Sequence, residues 1–162
     1  MAGLKPEEER LLAYLKRFVL ARSLEGFQVG VFTGLIGELS ACKAMGADWD
    51  PSTGYDALYR GGTISIKTRR WWKERGRDRS ARMGAFRPDA TGKYNFSYGW
   101  YVELGESFDP NAIWQAPKQT VIALQERAGK TGRGQPRGIT LRWFKKRAKL
   151  IWPQNERMLG IS

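Results

Sequence analysis

The sequence predicts an α/β domain, a mixed β-sheet flanked by helices in the order α-α-β-β-β-α-β-α. Three observations carry that expectation. Two N-terminal stretches repeat apolar residues at helical spacing, the period switches to two around Gly61-Gly62, and extended and helical patterns alternate again toward the C-terminus. At 162 residues, with 41% apolar and 27% charged residues, the chain suits a single domain with one real core, taken here as 1–162.

Residues 6–22 read as a first helix, with Pro6 at its start and Glu7, Glu8 and Glu9 in its first turn. Leu11, Leu12, Leu15, Phe18 and Val19 form its apolar stripe. Residues 26–32 read as a short strand or loop leading to Thr33, which caps a second helix running to about Met45 and stopped by Gly46. After a turn-rich run at 48–54, residues 55–60 and 63–68 flank Gly61-Gly62 and make a hairpin. From Arg69 to about Tyr94 no period survives, so 69–97 is expected to be a basic loop insertion. Trp100 to Leu104 supplies an apolar strand, 117–127 a helix, 129–138 a basic glycine-rich linker, 139–143 a strand and 144–151 a short basic helix.

Twenty-eight Lys and Arg against sixteen Asp and Glu give a net charge of +12, which points to a polyanionic partner. No apolar run is long enough to span a bilayer, and the acidic first turn does not suit a signal peptide, so a cytoplasmic protein without a membrane partner is expected. Cys42 is the only cysteine, which removes disulfide frameworks and cysteine-based zinc sites. The absence of histidine removes Ser-His-Asp and Cys-His triads and every mechanism with an imidazole base. Hydrolytic chemistry in this chain has to use Asp, Glu and Lys, with a metal ion.

With Gly61 and Gly62 as the two turn residues, Leu58 faces Ser65 and Asp56 faces Lys67, so Asp56, Ser65 and Lys67 share one face of the hairpin. Ala57, Tyr59, Ile64 and Ile66 take the other, apolar face. On the second helix, Glu38 falls on the stripe of Leu35, Leu39, Cys42 and Met45, where a buried carboxylate needs a cation or a lysine. Gly34, Gly37 and Ala41 beside it would let that helix approach a sheet closely. Cys42 itself is read as a core residue.

In the segments Gly37-Glu-Leu-Ser-Ala-Cys-Lys43, Gly54-Tyr-Asp-Ala-Leu-Tyr59 and Ile64-Ser-Ile-Lys-Thr-Arg69 the chain resembles the PD-(D/E)XK nuclease superfamily. The resemblance covers about residues 33–69 and implies a restriction-endonuclease-like fold. It also implies a metal-dependent DNA nuclease, with Glu38 as the helix glutamate, Asp56 as the principal metal ligand and Lys67 as the catalytic lysine. Glu38 and Asp56 would then hold Mg²⁺ or Mn²⁺. Ser65 stands where the family usually carries Glu or Asp, and Glu38, or less readily Glu103, would supply the missing acid.

The basic stretch after the hairpin holds Arg69, Arg70, Lys73, Arg75, Arg77, Arg79, Arg82 and Arg87 around the adjacent indoles of Trp71 and Trp72. Cations interleaved with aromatic rings suit phosphate contact and base stacking, and Lys145 and Lys146 make a second basic cluster. DNA is the expected partner with RNA as an alternative, and a homodimer is left open. Two rival functions stay beside the nuclease: a nuclease-like DNA-binding module without catalysis, and a basic RNA-associated accessory protein.

Overall fold

A computed structural model of the chain describes residues 3–22, 27–51, 54–71 and 81–153, and for 27–29 only the backbone. The first helix, α1, spans Pro6–Arg22 as its period requires and buries Leu12, Leu15 and Val19. The second, α2, spans Phe27–Met45, beginning a turn and a half earlier than its sequence signals indicate. Thr33 is therefore no cap but a buried residue inside the helix. The apolar run before it continues the helix because it has α1 to pack on, where the rings of Phe18 and Phe32 lie 5.4 Å apart.

Six strands follow in the spatial order β1 to β6: Asp48–Trp49 (β1), Ala57–Tyr59 (β2), Gly62–Arg70 (β3), Tyr98–Leu104 (β4), Pro110–Pro117 (β5) and Lys149–Trp152 (β6). Among the described residues only the β3–β4 pair is parallel, so the sheet is mixed. Lys118–Ala128 (α3) and Leu141–Arg147 (α4) complete the order α-α-β-β-β-β-β-α-α-β. Among the described residues the structure is thus α/β with a mixed sheet and four helices, but with more strands than the sequence pattern shows. The strands missed show no alternation: β1 has two residues and β6 four, while β5, bounded by Pro110 and Pro117, has Ala112, Ile113 and Trp114 side by side. Residues 139–143, expected as a strand, instead enter α4, and the basic helix expected at 144–151 ends at Arg147 and gives way to β6. Leu141, Phe144 and Ala148 recur at three- and four-residue steps while Ile139, Leu141 and Trp143 alternate, so this stretch carries both periods.

Alternation along the strands builds two cores on opposite sheet faces. Ile64, Ile66, Trp100, Val102 and Ile113 pack under α1 and α2. On the other face Tyr101 and Ala116 pack with Val121 and Leu124 of α3 and Phe144 of α4. Met83, Phe86 and Phe96 join this second core, so much of the segment expected as a loop insertion is built into the fold, and β3 itself runs on through Arg70. Among the described residues, no helix is long and apolar enough to cross a membrane.

The hairpin register differs from the one expected. Ala57 pairs with Ile64, Leu58 with Thr63 and Tyr59 with Gly62, so the turn residues are Arg60 and Gly61, both at positive φ (49° and 78°). Gly62 lies in the strand, where a Cβ would sit 3.5 Å from the Tyr98 ring and from the Tyr59 carbonyl. Continuing this register places Asp56 opposite Ser65 rather than Lys67. A shift of two residues keeps every side chain on its face, so the hydrophobic pattern could not distinguish the two registers.

Candidate active site

Three elements converge where β2 leaves β3. Asp56 lies in the bend just before β2, and its backbone N–H still donates to the Ile64 carbonyl (2.8 Å). Its side chain then takes over where the ladder ends: Asp56 Oδ2 accepts from the Ile66 N–H at 2.6 Å, and the Ser65 hydroxyl donates to the same carboxylate. Ser65 is buried and serves as a donor to Asp56.

Glu38 arrives from α2, and Gly37 is the reason it comes so close. A Cβ at Gly37 would sit 1.9 Å from Thr68 Oγ1 on β3, so only glycine lets helix and strand meet there. A Cβ at Gly34 would meet nothing within 4 Å, so the second glycine expected to serve close approach does not. The Glu38 carboxylate is held by the Trp49 indole, whose Nε1 donates to Oε2 at 3.1 Å. Trp49 was not legible as a site residue in the sequence, because its role depends on β1 pairing Trp49 with Ala57, beside Asp56. The adjacent Asp48-Trp-Asp50 run was the only signal, and it reads as a turn.

Lys67 completes the group from β3. Its ammonium lies 5.7 Å from the Phe86 ring centroid, and it lowers the pKa of both Asp56 and Glu38 through its charge. Burial nevertheless dominates for each acid and raises its pKa, with the negative charge of Asp56 adding to the rise at Glu38. The Trp49 bond opposes the rise at Glu38, and the Ile66 and Ser65 bonds oppose it at Asp56. Two half-buried carboxylates, the charge of Asp56 adding to the cost of ionising Glu38 and Lys67 acting on both, offer hard oxygen donors of the kind a divalent cation takes.

The remaining expected site residues divide. Glu103 does not join the group: its carboxylate accepts from Lys145 (3.0 Å) and from the Tyr101 hydroxyl (3.3 Å) on the second core. Lys145, expected to face phosphate, is thereby paired with Glu103 while remaining about one-third exposed, with its Nζ 4.2 Å from the Trp114 ring centroid. Arg70 is also engaged, donating to the Glu106 carbonyl and stacking 4.0 Å from the Phe108 ring centroid. Arg69 donates to the Arg82 carbonyl (2.8 Å) and Arg82 to the Gly138 carbonyl (2.9 Å). Both acceptors are neutral carbonyls, which do not themselves cancel either charge. Trp71 is 39% exposed and Lys146 is exposed. Trp72, Lys73, Arg75, Arg77 and Arg79 lie outside the described residues. Cys42 is fully buried, and burial pushes its thiol up to about 12, consistent with a core residue.

No protein-family model and no curated protein matches the chain.

Proposed function

We propose that this protein is a metal-dependent DNA nuclease, hydrolysing phosphodiesters with Glu38, Asp56 and Lys67. The single observation that carries the reading is the meeting of those three charges at the end of the β2–β3 ladder, from α2, the β2 bend and β3. Glu38 and Asp56 would hold Mg²⁺ or Mn²⁺, which when bound neutralises both acids and polarises the phosphoryl group. The Ile66 N–H and the Ser65 hydroxyl orient Asp56, and Trp49 orients Glu38. Lys67, fixed beside the Phe86 ring, stabilises charge developing on the phosphate.

One observation favours the second reading, a DNA-binding module without catalysis: Ser65 gives no third carboxylate, and Glu103 is committed to Lys145. Plasmid nicking in Mg²⁺ and in Mn²⁺ separates the two. The parent protein is expected to cut, and Lys67→Ala to cut roughly 10²–10³-fold more slowly, the usual loss when a transition-state charge partner is removed. Asp56→Asn should abolish cutting while duplex binding in EDTA persists. A parent that cuts no plasmid, single-stranded or branched DNA in either metal leaves the binding module as the better reading.

A further inference from the structure

The segment 129–138, Gly-Lys-Thr-Gly-Arg-Gly-Gln-Pro-Arg-Gly, has the composition of a flexible linker, yet it is an ordered hairpin. Lys130 bridges Pro136, the Thr131 N–H donates to the Gln135 carbonyl (2.8 Å), and the Arg137 N–H donates to the Gly129 carbonyl (3.0 Å). Its base is pinned to the second core. Buried Gln125 donates to the Arg137 carbonyl and accepts from the Phe86 N–H (3.1 Å), while the Met83 N–H donates to the Ile139 carbonyl (3.0 Å). At Gly138 the backbones touch so closely that a Cβ would lie 2.0 Å from the Met83 carbonyl oxygen.

This rigid base presents an unusual charge. From 127 to 153 the sequence has nine Lys and Arg and no Asp or Glu, and Lys130, Arg133 and Arg137 are exposed on the hairpin. Among the described residues of this stretch, Lys145 is the cation with an ion pair, to Glu103. Concentrated like charge on a fixed scaffold is self-repulsive, and a polyanion relieves the repulsion. The hairpin also connects by contact to Lys67. A Cβ at Gly84 would lie 3.5 Å from Lys67 Cδ, Arg69 reaches the Arg82 carbonyl, and Arg82 reaches the hairpin base at Gly138.

We propose that the 129–138 hairpin is a phosphate-holding arm that grips the backbone of duplex DNA through Lys130, Arg133 and Arg137, away from the cleavage locus. The proposal rests on the nuclease reading for its substrate class. Duplex is favoured over single-stranded DNA because the hairpin has no aromatic residue on which unpaired bases could stack, so its contacts are to phosphate.

The test measures binding of a labelled duplex in EDTA across a salt series, where cleavage plays no part. Replacing Lys130, Arg133 and Arg137 together by Gln should weaken binding and lower the slope of log K against log salt by about 2.7, and Arg133→Gln alone by about 0.9. The control replaces Lys5, Arg10 and Arg17 by Gln, an exposed lysine just before α1 and two exposed arginines on it, on the opposite face of the sheet, and should leave the slope nearly unchanged. Parent-like binding by the hairpin variants, an equal loss in the α1 control, or hairpin-dependent binding to phosphatidylserine vesicles but not to duplex, each overturns the proposal. Hairpin-dependent duplex binding by a parent protein that shows no metal-dependent cleavage supports the arm and removes only the nuclease reading.

Discussion

Burial of Glu38 and Asp56 gives the site a pH signature that can be read without any substrate. A carboxyl whose folded pKa is raised destabilises the folded chain at pH above that value, and the penalty disappears as pH falls through it. Both acids are raised, with burial as the main cause. In EDTA at neutral pH, Glu38→Gln and Asp56→Asn should therefore each melt above the parent, since each amide keeps an oxygen to accept the Trp49 or Ile66 N–H. An effect of about 1 kcal/mol corresponds to roughly 2–4 °C in Tm at this chain length. The gain should shrink on acidification through the carboxylate range, and thermal melts at several pH values check the sign. Variants that melt below the parent at neutral pH would show that ionised Glu38 and Asp56 are net stabilising. Trp49→Phe tests the support of the site rather than its charge: losing the indole N–H should weaken the Mn²⁺-induced rise in Tm, as a roughly 10–100-fold loss in metal affinity.

At the scale of elements, the contact between α2 and β3 decides whether Glu38 reaches Asp56 at all. Gly37→Ala puts a methyl group 1.9 Å from Thr68 Oγ1, so helix and strand must separate. The expected cost is about 1–3 kcal/mol, together with loss of the metal-induced stabilisation. Gly34→Ala, one turn earlier on the same helix and free of neighbours within 4 Å, should instead be neutral or stabilise by up to about 1 kcal/mol through helix propensity. Urea unfolding of the pair checks both directions, and equal effects would mean that the contact with Thr68 is not what sets the helix. The same contrast separates α4 into two roles. Lys145→Ala should lower stability by about 1 kcal/mol, because it leaves the Glu103 carboxylate, only 18% exposed, with the Tyr101 hydroxyl but without its cation.

Across the whole molecule, the +12 charge is carried by a fold whose two faces differ. The face bearing α1 begins with three consecutive glutamates, whereas the face bearing α3 and α4 carries the acid-free stretch from 127 to 153. Affinity for duplex DNA should fall steeply as salt rises, since each phosphate neutralised releases condensed counterions. Fluorescence anisotropy between about 50 and 200 mM salt checks this, with a loss on the order of 10³-fold expected for six phosphate contacts. Affinity that barely changes over that range would remove nucleic acid as the partner.

Much of this was already decided in the chain. The α/β class, the α1 helix, the hairpin and the shared face of Asp56, Ser65 and Lys67 follow from local periodicity, which side-chain alternation and helical pitch enforce wherever the chain is placed. The absence of histidine and the excess of basic residues likewise limit the chemistry before any folding is known. The hairpin register did not follow, because a two-residue shift preserves both faces; the turn falls on Arg60 and Gly61 and leaves Gly62 in the strand. Nor did β1 and β6, which are too short to show a period, or β5, whose apolar residues are adjacent rather than alternating; each pairs with backbone groups that a neighbouring strand offers. The partners of Glu38, Glu103 and Lys145 were equally hidden, since each is joined by tertiary packing to a residue with no periodic relation to it. Composition and periodicity thus settle the repertoire of charges and the face each occupies. Which of those charges meet, and which pair with one another away from the site, depends on how the elements pack, because distance between elements is set at contacts such as Gly37 on Thr68.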